Sequence, residues 1–243
     1  FVTSVPIIEN YDLSSMDVCV AGAEICPVQL KEKVMKHFSN AKFYDVFGQT
    51  EMSPATLMLK PADSIRKAAS VGKPILNVEV RIVDENMQDV PIGEIGEIVY
   101  RGPTLMKEYY KKTEETKEAF KGGWFHSGDL VSMDEEGFIY VRDRKKDMII
   151  SAGENIYPAE VEGVLYKHAG IFEVAVVGVP DEQWGESVKA YIVLKEGYTL
   201  TQKEVIDHCA TLLASYKKPK YVEFIDQLPR NASGKILKRL LKR

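Results

Sequence analysis

The chain has 243 residues, 45% hydrophobic and 28% charged, with a formal net charge of −4; that is long enough for one large or two ordinary domains with real cores. Acids and bases are interspersed, which gives no footprint for a nucleic-acid partner, and no run approaches the ~18 apolar residues of an integral membrane segment. Cys19, Cys26 and Cys209 are scattered without metal-ligand spacing, and their odd count fits a reducing cytoplasm better than a secreted disulfide scaffold, so they are read as buried or inert.

Residues 16–21 form a short apolar run entering Gly22-Ala23-Glu24, which predicts a buried strand ending in a tight turn. A helix is predicted from about 27 to 38, with Pro27 near its first turn and Leu30, Val34 and Phe38 on one stripe. Residues 41–46 read as a second buried strand. Strand, helix, strand is α/β organisation, in which ligands collect at the carboxyl ends of the strands. Gly22, Ala23 and the turn at 48–51 would share that edge.

From 71 to 140 the pattern changes. Val78, Val80 and Ile82 alternate with polar residues, Ile95, Ile98 and Val99 follow, and turn signals stand at 84–88, 91–93 and 134–137. A β-rich subdomain is predicted, interrupted by one helix at 113–120. The run Asp143-Arg-Lys-Lys-Asp147 predicts a solvated loop and a candidate linker. Beyond it come a strand at 148–151 and a Pro158-started helix to about 168 with Val161, Val164 and Leu165 on its stripe. Strands follow at 173–179 and 187–195, then a capping box, Thr201-Gln-Lys-Glu204, opening a helix through 213, and a last strand at 221–225. These elements predict a small α+β domain. The cationic tail 236–243 reads as a short amphipathic helix with Ile236, Leu237, Leu240 and Leu241 inward, needing only a core to pack on.

Three blocks concentrate chemistry. Tyr-Asp-Val-Phe-Gly-Gln-Thr-Glu occupies 44–51, Gly-Trp-Phe-His-Ser-Gly-Asp-Leu occupies 123–130, and Pro-Arg-Asn-Ala-Ser-Gly-Lys occupies 229–235. The Asp129 carboxylate can accept two hydrogen bonds from a vicinal diol and the Arg144 guanidinium can donate to the same ring, so the pair suits a ribose; a surface salt bridge beside a turn is the plain alternative. Glu51 is a hard oxygen ligand suited to Mg²⁺, although Thr50 and Glu51 would equally serve as helix caps after Gly48. Gly234 predicts a flexible loop that lets the Lys235 ammonium swing; without its Pro-x₄-Gly-Lys frame Lys235 would be one more cation in a basic tail.

In this order the blocks resemble the adenylate-forming superfamily of acyl-CoA synthetases, aryl-CoA ligases, luciferases and peptide-synthetase adenylation domains, over nearly all of the chain. The resemblance implies α/β and α+β architecture: the end of a large N-terminal domain at 1–142 (an α/β piece plus the β-rich subdomain), a hinge linker at 143–147, and a small mobile α+β C-terminal domain at 148–243. The family's Ser/Thr/Gly-rich phosphate loop is absent and Phe1 is not an initiator methionine. The expectation is therefore the later part of a longer cytoplasmic enzyme, with the missing N-terminal part of its own chain as a partner.

The implied reaction is adenylation of a carboxylic acid by ATP with Mg²⁺, then thioester formation with CoA. Gly22 and Ala23 would line the adenine through backbone; Phe47, where most relatives have Tyr, would stack on it, and Asp45 would accept from its exocyclic amine. Gly48 belongs to the same turn, Thr50 would hold an α-phosphate oxygen and Glu51 the metal. Asp129 and Arg144 would take the ribose hydroxyls, with Ser127 where many relatives have Thr. Lys235 would bridge the acyl carboxylate and the α-phosphate. Lys146 matches the hinge position and Gly153 the loop lining the pantetheine tunnel. Trp184, Tyr216, Lys218 and Lys220 resemble contacts to the CoA nucleotide, against the plainer reading of a basic loop and a half-buried Trp. Fatty acids are the leading substrate class, aryl acids next; Met52 and Ser53 would add to the acid pocket. A stand-alone adenylation enzyme, or a non-catalytic nucleotide- or CoA-binding fragment, stands as the alternative.

Overall fold

The computed structural model describes residues 5, 7–22, 26, 28–232 and 234–242, and the chain divides into two compact units, 1–141 and 142–243.

The first unit opens with β1 (Val18–Gly22), α1 (Val28–His37) and β2 (Lys42–Gly48). β1 and β2 are parallel, with Ala21 beside Asp45 and Gly22 beside Val46, so both carboxyl ends reach one edge as the strand–helix–strand pattern predicts. β3 (Ala55–Leu59) and the two-residue β4 (Lys73–Pro74) continue the sheet antiparallel. Two expectations are corrected. The strand at 16–21 is an exposed sheet edge, with Val18 and Val20 50% and 64% accessible. On α1 the inward stripe is Lys31, Val34 and Phe38, while Leu30 faces out: Lys31, 1% accessible, lies with Nζ 2.6 Å from Asp45 Oδ2 and donates to the Ala68 carbonyl. A buried ammonium is stable only with such partners.

The second sheet runs β5 (Glu79–Val83), β6 (Gly96–Arg101), β7 (Phe125–Met133), β8 (Ile139–Arg144), with α2 (Thr113–Ala119) before β7. Turns at Asp84, Pro91 and Asp134 fall where glycine, proline and aspartate placed them. Leu57 of the first sheet and Met52 beside it share one core with Ile82, Ile98, Tyr100, Phe125, Val131 and Ile139 of the second. The joint between the sheets is Gly72: it pairs with Ile139 on one side, has φ +92°, and a Cβ there would lie 2.0 Å from the Met58 carbonyl carbon. Only a residue without a side chain lets the chain cross β3 so closely.

The second unit carries a five-stranded sheet, β10 (Glu154–Ile156), β9 (Ile149–Ser151), β12 (Gly185–Leu194), β11 (Ile171–Asp181), with β13 (Tyr221–Phe224) parallel to β12. β11 is apolar almost throughout because both of its faces are covered. Val174 and Val176 meet α3 (Pro158–Leu165) and α4 (Gln202–Ala210) through Val161, Leu165, Val205 and Cys209. Ala175, Val177 and Val179 on the opposite face meet Leu228 and Leu241. The capping box of α4 forms as the sequence predicts. The tail does not form an α-helix: Ile236 bridges Arg230, Leu237 bonds back to Pro229, and a 3₁₀ turn at Lys238–Leu240 places Leu241 inward and leaves Leu240 39% accessible.

Asp143 departs from the expected solvated loop. It is 9% accessible, and its carboxylate accepts from the Arg144 and Ala159 N–H groups at 2.7 and 2.8 Å. Tyr157, at the start of α3, offers no side-chain cap, so this remote acid satisfies the freed helix N–H and complements the helix dipole. Among the described residues, no helix is long and apolar enough to cross a membrane.

Candidate active site

β2 ends at Gly48 in a 3₁₀ turn, Thr50–Met52. Neither Thr50 nor Glu51 caps it: its N-cap makes no side-chain bond. Thr50 is exposed, and its hydroxyl has no hydrogen-bond partner among the described residues. Glu51 is half-buried and its Oε1 accepts from the Tyr109 hydroxyl at 2.9 Å. Burial, reinforced by the bond to Glu51, pushes the Tyr109 phenol up to about 12, so it stays a donor and Glu51 stays the acceptor. One carboxylate oxygen is thereby oriented. A single such ligand fits Mg²⁺, which takes one or two carboxylates and completes its shell with phosphates and water.

Gln49, between the glycine and the threonine, reaches the second block: its Nε2 lies 3.4 Å from both Asp129 Oδ2 and the Ser127 carbonyl. The structure thus brings the 44–51 turn and Asp129, 2% accessible, within one side chain of each other. Phe47 packs partly buried against the first unit's core. Asp45 lies on the same face of β2, and its Oδ2 is buried with an ionic contact to Lys31 but no hydrogen bond in good geometry. Gly22 sits at the carboxyl end of β1 beside Val46; Ala23 lies outside the described residues. Met52 is a core residue, fully buried, and Ser53 bonds the Thr104 carbonyl.

In the second unit Lys235 is exposed, and the described residues around it are tied by hydrogen bonds. The Asn231 N–H donates to the Lys235 carbonyl and the Gly234 N–H to the Asn231 carbonyl, the Lys235 N–H donates to Asn231 Oδ1 at 2.9 Å, and the Arg230 guanidinium ties the Gly234 carbonyl to Glu173. The Lys235 ammonium has no ion-pair partner among the described residues. Arg144 is half-buried at the end of β8. Lys146 is exposed in a 3₁₀ turn, its carbonyl accepting from Lys242 Nζ at 3.1 Å.

Three of the candidate CoA-contacting residues, Gly153, Trp184 and Lys220, lie around Asp181, which sequence reasoning missed. At the β11–β12 turn, its carboxylate accepts from the Gln183 and Trp184 N–H groups, from the Ser187 hydroxyl, and from Lys220 Nζ at 2.6 Å. The bonds from Lys220 and Ser187 hold its carboxyl below the usual carboxylate range. The Trp184 carbonyl accepts from Ala152, beside Gly153 at φ +84° in the β9–β10 hairpin turn. Gly153, Trp184 and Lys220 are therefore neighbours. Tyr216 is exposed; Lys217 rather than Lys218 is paired, with Glu160 at 2.7 Å, and Lys218 has no ion-pair partner among the described residues. The readable signal for Asp181 was Pro-Asp-Glu-Gln-Trp-Gly at 180–185, an aspartate two and three residues before the N–H groups it accepts from. Asp181→Ala is expected to lower the melting temperature, because it strands the buried Ser187 hydroxyl and releases the N–H groups of Gln183 and Trp184, and to shift Trp184 emission to the red. Unchanged melting and emission would remove Asp181 from this organising role.

Ligands of open α/β sheets collect at the strands' carboxyl edge, and the first unit, with its polar turn at that edge, is of the class of α/β ligand-binding domains. The family is defined by comparison: the AMP-binding enzyme profile matches residues 4–110 and the AMP-binding enzyme C-terminal domain profile matches residues 160–235, and the chain belongs to this adenylate-forming family. It is 44% identical over 227 residues to a feruloyl-CoA synthase of Amycolatopsis sp, covering 93% of this chain and 46% of the relative. To a long-chain-fatty-acid–CoA ligase of Bacillus subtilis (strain 168) it is 43% identical over 240 residues, 97% of this chain and 42% of the relative. Among solved structures it resembles the o-succinylbenzoate CoA synthetase (MenE) of Bacillus subtilis. That enzyme with the acyl-adenylate intermediate OSB-AMP gives TM-score 0.82 and 38% identity, covering 93% of this chain and 46% of that one; its complex with ATP and magnesium ion gives 0.80 and 37%, covering 94% and 48%. The chain spans about half the length of the curated relatives it matches.

Proposed function

We propose that this chain is the later part of an ATP-dependent acyl-CoA synthetase, which joins a carboxylic acid to AMP with release of pyrophosphate and then passes the acyl group to CoA. The observation that carries this reading is the turn at the end of β2, where a Thr50 hydroxyl with no hydrogen-bond partner among the described residues, an oriented Glu51 carboxylate and, through Gln49, the buried Asp129 meet at one sheet edge. A hydroxyl donor for an α-phosphate oxygen, a hard ligand for Mg²⁺ and an acceptor for ribose hydroxyls are what adenylation asks of the nucleotide side.

Gly22, Ala23, Asp45, Phe47 and Gly48 form the adenine end of the same reading, and Arg144 adds a donor for the ribose. Mg²⁺, held by Glu51, supplies charge neutralisation at the phosphates. Lys235 neutralises charge developing between the acyl carboxylate and the α-phosphate. Lys146 is the pivot between the two half-reactions. Gly153, Trp184, Tyr216, Lys218 and Lys220 receive CoA, whose phosphates favour a cationic surface.

The acid is proposed to be a fatty acid; the likeness to a feruloyl-CoA synthase favours an aryl acid as second reading. The test is CoA-dependent AMP release by the full-length parent across a panel of fatty, aryl and amino acids. A fatty acid is expected to be preferred by at least tenfold in kcat/KM, a difference of about 1.4 kcal/mol. Preference for an aryl acid would select the second reading, and AMP release independent of CoA would remove the ligase reading. The chain by itself is expected to release no pyrophosphate.

A further inference from the structure

β6 and β7 do not pair evenly. Glu97 lies opposite Leu130 and Val99 opposite His126, so a single β6 residue, Ile98, faces three of β7: Ser127, Gly128 and Asp129. A bulge this wide frees backbone groups that must find other partners, and bulges re-aim the side chains they carry. Here the partners are side chains. Ser127 Oγ donates to the Ile98 carbonyl at 2.6 Å and accepts from the Asp129 N–H at 2.9 Å. Glu97 Oε1 accepts from the Gly128 N–H at 3.0 Å, while its Oε2 lies 3.1 Å from His126 Nδ1. Gly128 has φ +72°, a left-handed conformation that a residue with a side chain resists, so the bulge is a built feature.

Glu97 is 7% accessible. A carboxylate placed that deep costs free energy unless it is bonded on both sides, and its two oxygens hold the residues immediately before and after Ser127. We propose that Glu97 is a positioning residue: through the Gly128 N–H and His126 it fixes the bulge that presents Asp129, and thereby sets the selectivity of the site for a nucleotide with intact ribose hydroxyls. Ser127 is the second tie of the same bulge. The inference rests on the reading that Asp129 receives those hydroxyls.

The test is equilibrium binding of ATP and of 2′,3′-dideoxy-ATP, by calorimetry, to the full-length parent and to Glu97→Ala, Glu97→Gln, Ser127→Ala, Asp129→Ala and the Glu97→Ala/Asp129→Ala double variant. Wild type is expected to prefer ATP and Asp129→Ala to lose the preference. Glu97→Ala is expected to weaken ATP about tenfold, the scale of one charge-assisted hydrogen bond, and the dideoxy nucleotide less than about twofold. Glu97→Gln keeps an acceptor for Gly128 and should recover most of the loss. The double variant should bind ATP no more weakly than Asp129→Ala, as expected for residues acting through one another. Where Glu97→Ala does not fold, Ser127→Ala carries the same expectation of a selective loss. Equal weakening of both nucleotides, additive losses in the double variant, or an intact preference in Glu97→Ala and Ser127→Ala beside a flat Asp129→Ala would overturn the proposal alone. An intact preference in Asp129→Ala would remove the ribose reading itself, and this proposal with it.

Discussion

Lys235→Ala in the full-length parent is expected to lower carboxylate-dependent pyrophosphate release by about 10²- to 10³-fold, the scale seen when one preorganised donor to a developing charge is removed. The same variant should still convert a supplied acyl-adenylate into thioester at close to the wild-type rate. The structure gives a reason to expect so clean a separation. The described residues around Lys235 are tied by backbone hydrogen bonds, by the Asn231 side chain and by Arg230, none of which the substitution touches, and the Lys235 side chain is exposed. Melting should therefore be unchanged, and Lys235→Arg should recover little, because a planar fork does not replace a compact ammonium. Comparable loss in both half-reactions would take Lys235 out of the role proposed for it.

Gly72→Ala should have the largest effect on stability. The left-handed backbone alone costs an alanine about 1–2 kcal/mol. The new methyl would also stand 2.0 Å from the carbonyl carbon and oxygen of Met58 and 2.2 Å from the Leu59 nitrogen, all backbone atoms that yield only if β3 moves. β3 contributes Leu57 and Leu59, both fully buried, so its displacement opens the core shared by the two sheets. The total is on the order of 4 kcal/mol or more, in the range reserved for core disruption, and should lower the melting temperature by roughly 10 °C. A circular-dichroism melt within about 2 °C of wild type, less than 1 kcal/mol on the same scale, would show that the crossing at Gly72 is not the joint described.

How much of this could be read from the residues depends on the distance over which each contact acts. The β1–α1–β2 unit, the α4 capping box and the Asp134 turn are local, and their signals lie within a few residues of one another. β11 was legible because a strand covered on both faces loses its alternation. The inward face of α1 was misread because lysine is almost never fully buried, and its partner Asp45 lies on the next strand. The tail was misread for a related reason: 236, 237, 240 and 241 have helical spacing, but the pairing of Ile236 with Arg230 and of Leu237 with Pro229 claims the backbone first. Thr50, Glu51, Asp129 and Lys235, whose roles are proposed, were legible as motif residues. The side chains that hold them were not: Tyr109 is 58 residues from Glu51, Gln49 is 80 from Asp129, and Glu97 is 31 from Gly128. Separations of that size leave no periodic trace.

The Asp143 carboxylate, bonded at once to Arg144 and to the first turn of α3, closes the intervening segment into a ring that contains both Lys146 and the Gly153 hairpin. Were Lys146 the pivot proposed above, a large torsional change there would have to release the Ala159 N–H, at a cost of roughly 1–3 kcal/mol. That cost acts as a detent: unliganded molecules would occupy the released arrangement only about one time in five to one in 150, and a ligand that stabilises it must supply the difference in binding free energy.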